Sequence, residues 1–321
     1  MKKIIVLALA MAASQYGFSQ AKNVVSAWKY LDDYQKEQDA TSLLKARARI
    51  DTAAKDPDTK EEAKTWFYRG EIYLTIFDKN FIEQKEKHKD VADMNQRILA
   101  AYGSTDANDV VQAYVSLKRA RELDVKKIYI DDIDPKLKEC IVHLGNKGIA
   151  FNTAKDYPNA LLMFENAIED AAIFHVTDTN DIRSAALEAE KAKNYDKAKT
   201  YYQQLIDLKY GKARPYSYLS NMYLQKGDSA NALATVEKGR QAYPDDVNLM
   251  IEQVNFYMHK PDKKQEAINN LEMAVQKQPT NADWQLALAS LYDNLANPPV
   301  GQDQPKNYDD LFTKAADHYK K

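Results

Sequence analysis

The chain has 321 residues, 45% of them hydrophobic and 29% charged, with only nine glycines and ten prolines. This scarcity of turn-forming residues predicts an all-helical protein and argues against a sheet-based fold. The formal net charge is −2 with interleaved signs, which argues against a dedicated binder of nucleic acid or of anionic membranes.

The segment 1–19 has the layout of a secretory signal peptide that is cleaved before Gln20. Two lysines precede the apolar run 4–13, and Gly-Phe-Ser at 17–19 offers a small-x-small cleavage site. The run is too short to span a bilayer, and no cysteine follows it to carry a lipid anchor. We therefore expect an exported bacterial protein that does not span the membrane and is either periplasmic or peripherally held at the outer membrane.

Residues 20–125 predict helical pairs of a degenerate repeat. In the first helix we expect Trp28 and Leu31 to face inward. Farther along, a long segment, 78–108, separates a first helix from its partner at 109–123, where a regular pair needs only a short turn. The middle of this charged insert predicts an extended or extra helix. The insert is either a functional addition to one face of the array or a tolerated surface excursion.

A connector, 126–136, follows and contains Asp131, Asp132 and Asp134. Three acids suggest a cation site, but no ligand loop with a turn glycine and a distal glutamate follows them. Asp134 before Pro135 predicts the start of a helix instead.

Residues 137–321 form the regular part of the chain, in which one pattern recurs at a period of about 34 residues, the spacing of a helix-turn-helix repeat. In each second helix, a small residue, a large residue four later and a small residue three after that share one helical face. A lone helix pair cannot bury this face, so neighbouring pairs must stack. The copies are Ala160-x3-Phe164-x2-Ala167, Ala198-x3-Tyr202-x2-Leu205, Ala232-x3-Val236-x2-Gly239 and Ala267-x3-Leu271-x2-Ala274, with weaker upstream copies Ala46-x3-Ile50-x2-Ala53 and Ala113-x3-Leu117-x2-Ala120.

The last pair of this region contains a second insert, 297–307, in the turn between its helices. Its second helix, 308–321, has Ala315 and Tyr319 in the small and large slots and stops before the closing position, so we expect an incomplete unit. An uncovered final apolar face would favour self-association through this C-terminal helix.

The first helices carry an altered form of the pattern W-x2-L-G-x2-Y. It is present as Trp66, Arg69, Gly70, Tyr73, as Leu144, Lys147, Gly148, Phe151, and as Trp284, Leu288, Ala289, Tyr292. On these residues the chain resembles the tetratricopeptide repeat (TPR) family, although Ala189 occupies the aromatic slot of the unit 179–212. The resemblance implies an all-α fold, a right-handed superhelical α-solenoid of antiparallel helix pairs, with about six units of which two are degenerate. It also implies a surface that binds other proteins.

The resemblance further implies a binding groove. In this family the first helices line the concave face, and the residue two before the aromatic slot, often asparagine in peptide-binding members, points into it. Here that slot holds Asn221 and Asn255, which are one repeat period apart, and their amides could pair with a peptide backbone. Other units have different residues in the slot, so these asparagines are either a partial clamp or ordinary solvated side chains. Neighbours on the same face by helical spacing are Arg183, Arg214, Gln225 and His259.

No catalytic constellation is present in the sequence. It contains no Gly-rich phosphate loop, no nucleophile elbow and no zinc-binding pair of histidines on one helix. Cys140 is the only cysteine and its neighbours are apolar, so we expect a buried, inert thiol. We therefore predict a protein that is not an enzyme and has no cofactor and no metal ligand. The histidines are far apart and are expected at the surface or in the groove, namely His88, His143, His175, His259 and His318.

Three functions remain compatible with these patterns. The first is a non-enzymatic scaffold or adaptor of the cell envelope that binds a peptide segment or helix of another envelope protein in the concave groove. The second is a glycan-binding or small-ligand module that uses groove aromatics and amides. The third is a structural subunit that assembles through its C-terminal face.

Overall fold

A computed structural model describes residues 22–258, 260–298 and 303–321. All regular secondary structure in these ranges is helical, as predicted. A one-turn 3-10 helix, Pro261–Lys263, precedes the thirteenth α-helix. In chain order the α-helices are α1 (22–37), α2 (Ala40–Ala53), α3 (Ala63–Lys87), α4 (Met94–Ser104), α5 (Ala107–Leu123), α6 (Ile130–Thr153), α7 (Tyr157–Ile173), α8 (Thr179–Lys191), α9 (Tyr195–Asp207), α10 (Arg214–Gln225), α11 (Ser229–Ala242), α12 (Val247–Tyr257), α13 (Lys264–Lys277), α14 (Ala282–Ala296) and α15 (Tyr308–Tyr319).

None of the described helices combines the length and the apolar character needed to cross a membrane. The predicted signal peptide, 1–19, lies outside the described residues.

The chain divides into two compact units, Met1–Lys193 and Asn194–Lys321. Within the units, six helix pairs pack closely, namely α1 with α2, α3 with α5, α6 with α7, α10 with α11, α12 with α13 and α14 with α15. Short turns join α1 to α2, α6 to α7, α10 to α11 and α12 to α13, so the helices of these pairs run antiparallel. The described helices are therefore TPR-like pairs. The predicted boundaries at 125/126 and 136/137 remain sequence predictions.

Turns within the pairs share a local design. Lys155 and Gly227 adopt left-handed backbone conformations, with φ of 61° and 77°, one residue beyond the right-handed C-caps of α6 and α10. The next residues, Asp156 and Asp228, accept hydrogen bonds from backbone amides of the following helix. A left-handed residue ends one helix and a carboxylate begins the next, so the turn needs few residues.

The predicted small-large-small pattern is confirmed by burial. Alanine and large apolar residues of all six copies are at most 3% exposed. Gly239 shows why a small residue is needed, since an added Cβ would lie 2.8 Å from Leu249 Cδ1 and 2.9 Å from Tyr216 Cβ. In the weaker copies, Gly70 plays a related part, because its missing side chain makes room for Leu117.

One predicted core position is wrong. Trp28 is 46% exposed, because the inward face of α1 is formed instead by Val24, Ala27 and Leu31, the last as predicted. In α15, Ala315 of the small slot is buried and Tyr319 of the large slot is 51% exposed.

The predicted insert of the first unit consists of an extended helix and an added helix. Helix α3 continues to Lys87, and α4 follows as an extra helix that packs on α3 and α6. The partner of α3 is α5, and the contacts of Arg119 with Glu61 and of Asn80 with Asp109 show that these two helices are antiparallel.

Helix α6 begins at Ile130 and not at Asp134, so the last part of the predicted connector is helical. Asp124 explains the earlier start, because its carboxylate accepts hydrogen bonds from the backbone amides of Ile128 and Tyr129 at 2.8 and 2.7 Å. Pro135 then lies inside the helix.

Candidate functional site

Helix α10 presents a polar face in the second unit. Arg214, Asn221 and Gln225 follow one another at seven and then four positions along the helix, which places them on one side of it. All three side chains are exposed. Leu219 and Met222 on the other side are buried, with 4% and 1% exposure, and fix the orientation of the helix.

Helix α12 packs beside α10 and presents Asn255, which is also exposed. We call the exposed side chains Arg214, Asn221, Gln225 and Asn255 the α10–α12 face. Among the described residues, Asn221 and Asn255 make no side-chain hydrogen bond, whereas Gln225 does have an interaction partner. The two equivalent amides therefore retain their donors and acceptors for a ligand.

Glu252 adds an acidic group one helical turn before Asn255. One oxygen of its carboxylate is buried and has no hydrogen-bond partner among the described residues. Burial raises the pKa of Glu252, and a hydrogen bond from Ser217 of α10 offsets only part of that effect. Because that oxygen is closed off from solvent, Glu252 serves the packing of α12 on α10 rather than the exposed face.

The remaining predicted groove residues are not part of this arrangement. Arg183 is exposed on α8, which belongs to the first unit. His259 lies outside the described residues. The structure thus brings together four of the six predicted residues, on two neighbouring helices.

A polar cleft that the sequence did not indicate lies elsewhere in the second unit. It has a volume of about 490 Å³ and is bounded by α9, α10 and α11. Its lysines and amides come from exposed positions of second helices, which carry no distinguishing sequence signal. The lining that can contact a polar ligand comprises Lys199, Gln203, Tyr216, Tyr223, Asn231, Thr235 and Lys238.

Cys140 is completely buried in the first unit, which confirms the predicted packed thiol. Burial raises its pKa well above the usual value for cysteine, and the charge of Asp170 adds to the effect. A thiol held in its protonated form and shielded from solvent is a poor nucleophile.

His143 corrects the prediction that each histidine is at the surface or in the groove. Its side chain is 12% exposed, and it lies between Asp78 of α3 and Glu139 of α6. Burial alone would lower the pKa of His143, but the two carboxylates outweigh that effect and raise the pKa to about 9. Sequence spacing could reveal Glu139 and His143 as neighbours on α6, but it could not bring Asp78 to them.

No family model matches the chain, and no curated protein matches it. Among solved structures, it is similar to YrrB, described as a TPR protein with an unusual peptide-binding site, with 14% identity and a TM-score of 0.40 over 60% of this chain and 92% of that chain. It is also similar to MamA AMB-1, with 18% identity and a TM-score of 0.38 over 55% and 90% of the two chains. A TPR repeats protein from Bacteroides fragilis NCTC 9343 shows 21% identity and a TM-score of 0.36 over 56% and 85%. Similarity at this level assigns neither a family nor a function.

Proposed function

We propose that this chain is a non-enzymatic protein-interaction scaffold that binds a peptide segment or helix of another cell-envelope protein on the α10–α12 face. The observation that carries the proposal is the pair Asn221 and Asn255. They occupy equivalent positions in successive repeats, on contacting helices, and both are exposed with unused amides.

The geometry suits an extended peptide that crosses the two helices. Packed helices have axes about 8–10 Å apart, and an extended chain advances about 3.3 Å per residue. Asn221 and Asn255 would therefore contact peptide groups about three residues apart. Each amide can donate to a carbonyl and accept from an N–H, so it can bind the backbone with little regard to side chains.

Neighbouring side chains supply selectivity. Arg214 offers a guanidinium for a carboxylate of the ligand. Leu224, which is 43% exposed, offers apolar contact. The favoured ligand therefore has an acidic group beside a short apolar stretch.

The test is a cross-linked pull-down from envelope extract with the full chain as bait. The variant Asn221→Ala/Asn255→Ala should lose a dominant partner that the wild type retains. A matched control, Gln241→Ala/Gln276→Ala, removes two exposed amides from second helices α11 and α13, away from the face. Equal recovery of the partner by all three baits would contradict the proposal.

A second candidate function rests on the polar cleft. Lys199 and Lys238, with the amides Gln203 and Asn231, could bind an anionic saccharide or another small polar ligand, while Tyr223 provides an aromatic surface. Titration of the protein with anionic saccharides should then perturb tyrosine fluorescence. The effect should be lost in Lys199→Met/Lys238→Met and kept in Asn221→Ala/Asn255→Ala.

A third candidate is self-association through α15. Phe312 and Tyr319 of this helix are 50% and 51% exposed. Sedimentation at increasing concentration would show larger species for the wild type and a constant size for Phe312→Ser/Tyr319→Ser. A wild type of constant monomeric size would remove this candidate.

A further inference from the structure

Three side chains with metal-binding atoms meet between α3 and α6 in the first unit. Asp78 comes from α3, and Glu139 and His143 lie one turn apart on α6. One ligand atom from each residue lies within 4.8 Å of the other two. The Nε2 atom of His143 is 3.2 Å from Asp78 Oδ1 and 3.8 Å from Glu139 Oε1.

The imidazole of His143 is held from its other side. Its Nδ1 is 2.9 Å from the hydroxyl of Tyr102, and that hydroxyl also accepts a hydrogen bond from Asn146 Nδ2 at 3.3 Å. The ring of Phe77 packs against the imidazole with centroids 4.9 Å apart. When Nδ1 donates to Tyr102, the lone pair of Nε2 is left to face the two carboxylates, as in histidines that bind metals.

The Nε2 atom is buried and has no hydrogen-bond partner among the described residues. The two carboxylate oxygens, 3.2 and 3.8 Å away, attract the ring by charge but do not complete a hydrogen bond with Nε2. A buried polar atom without a hydrogen bond needs a reason. A cation placed among the three ligand atoms would satisfy all of them together.

The cluster exists because the first unit departs from the regular repeat. Asp78 lies on the part of α3 that extends beyond a normal first helix, and Tyr102 lies on the added helix α4. Helix α4 packs directly on α6 and so brings Tyr102 to His143. The residues of the predicted insert therefore supply both one ligand and the group that orients the histidine.

We propose that Asp78, Glu139 and His143 bind one divalent transition-metal ion, with zinc the best fit. Binding releases the proton of His143 to solvent. Two carboxylates and a neutral imidazole then balance the charge of the ion, and one nitrogen with two oxygens is a ligand set that zinc accepts. Zinc ligands lie about 2.0–2.2 Å from the metal, so the side chains would close inward by small rotations. Three protein ligands leave a position for water or for a group from a partner protein.

The direct test measures zinc binding to the full chain. The protein is treated with EDTA, dialysed against micromolar zinc chloride, and analysed for metal content by mass spectrometry. We expect a single zinc ion per wild-type chain and its loss in Asp78→Asn, Glu139→Gln and His143→Gln. The matched control Asp132→Asn removes an exposed carboxylate from the same helix and should keep the ion.

Glu139→Gln is the variant least exposed to a folding artefact, because its side chain is 49% exposed. Circular dichroism checks that each variant is folded. Cobalt(II) in place of zinc should give visible absorption bands in the wild type, and these bands should be absent from folded Glu139→Gln.

Three outcomes would overturn the proposal. The first is that the wild type takes up no zinc. The second is that the three variants retain as much zinc as the wild type, and the third is that magnesium binds and zinc does not. In the first case the positive charge between the carboxylates is the protonated imidazole of His143 alone.

Discussion

Within the described residues, the two units differ in what they bury. The buried charged side chains all belong to the first unit, whereas the buried polar side chains of the second unit are uncharged. Helix ends, which need polar partners, account for three of these charged side chains: Asp109 is in the first turn of α5, Asp124 follows its end, and Lys147 caps α4. Asp170 and Glu188 lie instead inside α7 and α8. The charged set is Asp109, Asp124, Lys147, Asp170 and Glu188, and the uncharged set is Ser220, Thr235, Asn270 and Gln285.

Lys147 illustrates the consequence. It occupies the slot that holds Leu219 and Leu288 in the second unit, and it is 2% exposed. Its ammonium donates to the carbonyl oxygens of Tyr102 and Thr105, both at 2.6 Å. The side chain therefore caps the C-terminus of α4 from within the core, a position where a regular pair needs only an aliphatic residue.

The largest expected effect comes from removal of this cap. Lys147→Met should lower the free energy of unfolding by about 3 kcal/mol, because two buried carbonyls lose their donor. Leu219→Met, the same slot in the second unit, should cost less than about 1.5 kcal/mol. Urea denaturation of both variants measures the two changes in the free energy of unfolding. Equal losses of stability would show that the two slots are equivalent.

A second prediction concerns Asp170, which is completely buried with neither carboxylate oxygen hydrogen-bonded among the described residues. Burial, aided by the charge of Glu169, raises its pKa to about 8. The folded state therefore holds a proton that the unfolded state releases at a pKa of about 3.9. This contribution to stability is complete below about pH 4 and is lost as the pH rises to about 8.

Asp170→Asn removes this titration, so at pH 8 the variant should be more stable than the wild type by about 2 kcal/mol. Thermal unfolding between pH 4 and pH 8 should show a smaller decline for the variant than for the wild type. Glu169→Gln sharpens the test, because removing the neighbouring negative charge should lower the pKa of Asp170 and complete the decline at a lower pH. A pH profile in Asp170→Asn identical to that of the wild type would contradict the assignment.

A third prediction compares close packing in the two units. Gly148→Ala would place a Cβ 2.8 Å from Phe164 Cζ in the first unit, and Gly239→Ala would place one 2.8 Å from Leu249 Cδ1 in the second. Each should cost about 1–2 kcal/mol after the gain in helix propensity is included. Gly103→Ala, with nothing within 4 Å, should instead stabilise the protein by about 0.5 kcal/mol. The midpoints of denaturant unfolding would distinguish the two destabilised variants from the stabilised one.

The smallest effect on stability is expected for Asn221→Ala/Asn255→Ala. Both side chains are exposed, so the free energy of unfolding should change by less than about 0.5 kcal/mol for each. Loss of partner binding with unchanged stability would identify a recognition surface. A large loss of stability would show that the asparagines serve the fold.

Much of the fold was predictable because its signals are local. The triplet spacing identified residues such as Ala160 and Tyr202 as core, and they are completely buried. The error at Trp28 arose because one helical turn offers two candidates for the buried position, and Ala27 occupies it instead. The helix period alone does not decide whether a residue at the edge of the apolar face is buried or exposed.

The candidate sites were predictable only in part. Asn221 and Asn255 could be predicted because they occupy the same slot of two repeats, one repeat period apart. The cluster at His143 was not found, because Asp78 is distant from it in the sequence and meets it only through the packing of α3 on α6. Tertiary contacts of this kind carry no sequence period.

The ammonium that closes α4 also governs how this helix moves. Opening α4 would withdraw the carbonyls of Tyr102 and Thr105 from Lys147. The side chain would then stay charged inside the first unit or lose its proton. Burial lowers the pKa of Lys147 to about 8, so loss of the proton is easier at alkaline pH. A short added helix would ordinarily fray on its own. Here its amide hydrogens should exchange with solvent as slowly as those of α6, because Lys147 of α6 holds its C-terminal carbonyls.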